Sequence, residues 1–116
     1  MINFIPLVDE SQLVEINDLS NKPRSYGVLL FKHSTRCGVS IYALKQLERE
    51  YKFTSEEMPV YLLDILNYRQ LSNRIAELYG VAHESPQILF IKDGKCSGNA
   101  SHNNVSNQTI NGWINE

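Results

Sequence analysis

The strongest constraint on this chain is a pair of apolar runs, YGVLLF (26–31) and PVYLLDIL (59–66). A strand exposed on one face alternates apolar and polar residues; one that is apolar throughout must be covered on both faces. The intervening segments read as that cover. Residues 37–53 place Leu44, Leu47 and Tyr51 at helical spacing and leave Lys45, Glu48, Arg49 and Lys52 for solvent. A shorter helix spans 10–20, opened by Asp9, with Leu13, Ile16 and Leu19 on one side. Residues 3–8 form a first strand ahead of it. Asn67 caps a third helix carrying Leu71, Ile75 and Leu78, and Gly80 ends it. A strand at 87–92, an Asp93-Gly94 turn and a returning strand make a hairpin. Ser106 opens a last helix with Ile110, Trp113 and Ile114 inward. The order is β-α-β-α-β-α-β-β-α. It predicts one α/β domain over 1–116, a central mixed sheet flanked by helices.

Bulk properties remove several function classes. A net charge of −2 and a pI near 5.9 give no electrostatic case for nucleic acid or an anionic membrane. The apolar runs fall short of the ~20 residues that cross a bilayer. The start, MINFIPLVDESQ, lacks the pattern of a secretory signal, so a cytoplasmic location is expected. The glycosylation-type triplets at Asn99, Asn104 and Asn107 then have no use. In that setting the two cysteines, Cys37 and Cys96, are expected to be reactive or buried rather than bridged.

Cys37 stands where the 26–31 strand, after the polar loop HSTR, hands over to a helix. Free N–H groups and the positive end of the helix dipole there favour the thiolate, the reactive form of cysteine. Arg36 adds a neighbouring cation. Ser40 holds the position of the second thiol in a C-x-x-C site, and its hydroxyl cannot form a disulfide. A mixed disulfide on Cys37 would therefore persist until an outside thiol removed it. Cys96 lies just past the hairpin turn, at the end of the strand far from Cys37. It is expected to be a bystander. The returning strand brings His102 back toward Cys37 instead. Pro86 belongs at the first residue of its strand, where it forfeits no ladder hydrogen bond. The dipeptide alone favours a trans Ser85-Pro86 bond. His33, His83 and His102 form no ligand set with a cysteine at zinc spacing, so no metal site is expected. A phosphatase loop needs arginine six positions after its cysteine, where Ala43 stands.

The element order is that of the thioredoxin fold. With FKHSTRCGVS and HESPQILFIKDGK…ASH, from about Tyr26 to His102, the chain resembles the monothiol bacilliredoxins. That resemblance implies a thioredoxin fold, Cys37 as nucleophile and Pro86 as a cis-proline. It also implies reduction of protein mixed disulfides with bacillithiol, a low-molecular-weight thiol used as cosubstrate, with no tightly bound cofactor. The family carries proline after its cysteine, where Gly38 stands here. CGVS thereby comes close to the C-G-F-S of monothiol glutaredoxins that carry iron–sulfur clusters with glutathione. The Gly-Gly-Asp stretch of those proteins is missing, with KDGKCSGNASH in its place. The acidic residue that dithiol thioredoxins bury six positions before their first cysteine is also absent; Phe31 stands there. Both absences favour the bacilliredoxin.

Three functions follow as expectations. The leading one is a monothiol oxidoreductase acting on S-thiolated proteins. In it Arg36 and the helix terminus hold Cys37 ionised, the Ser85-Pro86 backbone grips the ligand, and Glu84 and His102 recognise its polar parts. The second is an iron–sulfur cluster carrier, and the third a binding module without redox turnover.

Overall fold

The structure is a computed structural model that describes residues 2–114. Five strands and four helices follow the expected order: β1 (Phe4–Pro6), α1 (Gln12–Ser20), β2 (Val28–His33), α2 (Gly38–Glu50), β3 (Val60–Asp64), α3 (Arg69–Tyr79), β4 (Gln87–Lys92), β5 (Lys95–Ser101) and α4 (Asn107–Ile114). A short 3-10 turn, His102–Asn104, joins β5 to α4. The sheet order is β1-β3-β2-β4-β5. β1, β3 and β2 run parallel, and β4 and β5 return antiparallel. Among the described residues no helix is long and apolar enough to cross a membrane.

The continuous apolar character of β2 has the expected cause. Val28 and Leu30 face a core completed by Leu13 and Ile16 of α1 and Leu71 and Ile75 of α3. Leu29 and Phe31 face a second core with Ala43 and Leu47 of α2 and Ile110 of α4. Each such side chain, taken out of water, contributes roughly 1.5–3 kcal/mol. The sheet is therefore held from both sides. Asp93 and Gly94 turn the hairpin with φ of 53° and 76°, the left-handed pair that a two-residue turn requires. Gly80, at φ 68°, ends α3.

Several boundaries differ from expectation. β1 is shorter than 3–8, and β3 is shorter than 59–66. β2 is displaced two residues toward the C-terminus, because Lys32 and His33 are buried strand residues rather than loop. The second helix ends at Glu50, not Phe53, and Cys37 is its N-cap rather than its first residue. Asn67 does not cap α3: Tyr68 holds that place, and Asn67 Nδ2 donates instead to Asp64 Oδ2 at 2.7 Å. Leu78 is 46% exposed, not in the core. Asp9 accepts from the Ser11 N–H at 3.1 Å, but α1 proper starts a turn later.

The topology gathers several strand ends on one edge. The C-terminal ends of β1, β2 and β3 meet the start of β4 and the end of β5 there. Cys37 lies on that edge.

Candidate active site

Three residues of tight turn separate β2 from Cys37. The Cys37 N–H donates to Ser34 O at 3.3 Å, and the Arg36 N–H to Ser34 Oγ at 3.3 Å. Cys37 has extended backbone angles, and its carbonyl accepts from Ile41 N–H at 3.0 Å, the first bond of α2. Its thiol is free and half-buried. Cys37 thus stands at the N-terminus of α2 where solvent can reach it, with no hydrogen bond from its side chain to the helix. Arg36 is exposed and, among the described residues, pairs with no carboxylate.

Ser40 is fully buried. Its hydroxyl accepts from the Ser34 N–H at 3.0 Å and lies 2.5 Å from His33 Nδ1. Having accepted from Ser34, the hydroxyl has its own proton to give His33. The serine therefore ties the first turn of α2 to the end of β2. Burial lowers the His33 pKa below the ordinary histidine value, against the opposing charge of Asp64, so the ring is kept neutral.

The β2–β4 ladder ends at Lys32 opposite Gln87, so the turn to Cys37 and the Ser85-Pro86 segment leave the sheet at the same edge. The Ser85-Pro86 bond is cis. Pro86 O accepts from His102 N–H at 2.9 Å, which fixes His102 beside the proline. His102 adopts a left-handed backbone, φ 56°, uncommon outside glycine, and its ring is exposed. Glu84 is exposed as well. The backbones of Glu84 and Ser85 form no hydrogen bond among the described residues. Beside this edge a groove of about 310 Å³ runs between α2 and the turn before α4, lined by Val39, Tyr42, Gln46, His102 and Gln108.

Cys96 is elsewhere. It pairs with Ile91 near the hairpin turn. The four residues from Gln87 to Ile91 carry it roughly 13 Å from the Cys37 end. Its Sγ lies 3.2 Å from Gly98 O, and burial pushes the thiol pKa up.

A matching family model describes a monothiol bacilliredoxin, BrxC, and covers residues 5–110. The chain belongs to the monothiol bacilliredoxin family. Among solved structures, this bacilliredoxin is similar to a thioredoxin-fold protein described as a candidate oxidoreductase: 26% identity, TM-score 0.77, covering 95% of this chain and 92% of that one. Thioredoxins from Trypanosoma brucei brucei (13% identity, TM-score 0.73, 98% and 93% covered) and Malassezia sympodialis (12%, 0.72, 99% and 90%) share the fold. The fold is thioredoxin-like, and family and fold together support a thiol oxidoreductase role.

Sequence reasoning passed over Lys32 and Ser72 of this bacilliredoxin, and weighed His83 only as a metal ligand. Lys32 is wholly buried, with Nζ 3.1 Å from Ser72 O and 3.5 Å from His83 Nδ1. The alternation Val28, Leu30, Lys32 on one face could have flagged it.

Proposed function

We propose that this chain is a monothiol thiol-disulfide oxidoreductase that removes a low-molecular-weight thiol, bacillithiol, from protein mixed disulfides in the cytoplasm. The observation that carries the reading is a free, solvent-reachable Cys37 at the N-terminus of α2, on the sheet edge where β2 ends and where β4, preceded by the unbonded backbone of Glu84 and Ser85, begins. Helix N–H groups favour the thiolate. That thiolate attacks the small-thiol sulfur of the mixed disulfide. The S–S bond breaks, the protein's own cysteine leaves as a thiolate and takes a proton from solvent, and Cys37 carries the adduct. A second small thiolate then attacks the adduct sulfur, releasing the symmetrical disulfide and restoring Cys37.

Ser40 supplies the monothiol character. With a hydroxyl at that position no internal disulfide competes with the outside thiol. The free N–H and C=O groups of Glu84 and Ser85 suit an extended thiol ligand, and Glu84 and His102 flank it. The partners of this reading are S-thiolated proteins and the small thiol; bacillithiol as its identity rests on family membership. The test is exchange on a bacillithiolated protein by Cys37→Ser and Cys96→Ser variants. Loss of turnover with Cys37→Ser alone supports the reading; equal loss in both variants would overturn the bystander role of Cys96.

A further inference from the structure

Lys32 is the least expected residue of the core. Its ammonium sits beneath the sheet on the face of Val28 and Leu30, and no carboxylate pairs with it among the described residues. Burial, with Arg69 nearby, pushes its pKa down to about 8. An unpaired buried charge costs stability, and hydrophobic replacement of such groups is often neutral or favourable. Its geometry shows what it holds. Nζ donates to Ser72 O in α3 and approaches His83 Nδ1, which also lies 2.9 Å from Ser72 Oγ. Both neighbours have protons to give, so Nδ1 accepts.

His83 belongs to the irregular segment that climbs from the end of α3 to the start of β4. That segment is pinned at three successive residues. The Val81 N–H donates to Ala76 O at 3.1 Å, and Gln87 Nε2 donates to Ala82 O at 3.0 Å. His83 is held by Lys32 and Ser72. Beyond these pins come Glu84 and Ser85, whose backbones are unbonded among the described residues. Gln87, the strand partner of Lys32, is itself 1% exposed.

We propose that Lys32 is a positioning residue: with Ser72 it clamps the His83 ring from beneath the sheet, the pin nearest Glu84 and Ser85, so that those two residues are presented in a fixed course to the ligand of Cys37. The assignment to exchange rests on the function proposed above; the clamp itself does not. A loose segment would pay for its ordering on every binding event, so losing the clamp should weaken ligand capture more than the chemical step.

The test uses the full chain as wild type, Lys32→Met and His83→Ala. The second variant alters a half-buried ring and probes the same clamp should the first fail to fold. Three readouts are taken: 15N order parameters at Ala82–Ser85, the rate of Cys37 alkylation by iodoacetamide, and kcat and KM on a bacillithiolated peptide. The clamp predicts that order parameters fall from about 0.85 to below about 0.6 in either variant. Alkylation should stay within about twofold, and KM should rise about tenfold with kcat nearly held. Unchanged order parameters in a folded variant would overturn the clamp. Loosened amides with unchanged KM would overturn its role in exchange. Loosened amides in a protein whose wild type shows no exchange would leave the clamp standing and sink the proposed function instead.

Discussion

Cys37 and Cys96 show how placement, not residue type, decides thiol chemistry. One stands at a helix N-terminus on the gathered edge; the other sits by a hairpin turn, with burial disfavouring its anion. Iodoacetamide at neutral pH should therefore label Cys37 at least about tenfold faster than Cys96, read by peptide mass spectrometry; comparable rates would contradict this. Ser85 permits a cleaner separation of roles. Its hydroxyl is buried without a partner. Removing an unsatisfied buried polar group costs little and can stabilise. Ser85→Ala should keep its urea midpoint or raise it, so any loss of exchange in that variant reports on ligand contact rather than folding.

Among the elements, α2 carries Cys37 at its N-cap, just ahead of its first turn. Ser40 links that turn to β2 through Ser34 and His33. Ser40→Ala would leave a buried N–H and a ring nitrogen unpaired, and should cost about 1–3 kcal/mol in urea unfolding. The histidines add a pH limit. Burial lowers the pKa of both His33 and His83. Their contribution is fully present above the unfolded value, near 6.5, and is lost as pH falls through the depressed folded values. Thermal stability should therefore decline below about pH 6.5, less steeply in His33→Asn. The elements themselves were largely legible: helical spacing marked α2, and an Asp-Gly dipeptide marked the hairpin. What escaped was polar burial. Lys32, His33 and Ser34 look like the start of a loop on any hydropathy reading, yet all three are buried, and the first two extend β2. Their partners, Ser72, His83 and Ser40, lie 6 to 51 residues away in sequence, so no local pattern announces the pairs. Asn67 was misread for a related reason: its side-chain amide donates back to Asp64, three residues earlier, and Tyr68 stands at the N-cap of α3 instead.

For the molecule as a whole, two covered sheet faces leave one edge free for chemistry, and the buried ammonium under that edge sets an alkaline signature. Lys32 has its pKa lowered to about 8 from an ordinary 10.5. The unfolded chain then binds more protons between those values, so stability rises with pH through that window. The window is clearest below about pH 9; above that Cys96, whose pKa burial raises, opposes it, and above about pH 10 Tyr51 and Tyr61 do so as well. In urea unfolding between pH 8 and 10 the stability of the wild type relative to Lys32→Met should rise with pH, since Cys96 and the tyrosines are common to both; equal slopes would contradict it. The thiol chemistry itself is tested most directly by exposing reduced protein, separately, to oxidised bacillithiol and oxidised glutathione, then mapping adducts by peptide mass spectrometry. A bacillithiol adduct confined to Cys37 and removed by excess reduced bacillithiol is the expected result. No adduct on Cys37 with either thiol would contradict the exchange mechanism and leave a thioredoxin-like binding module as the better description.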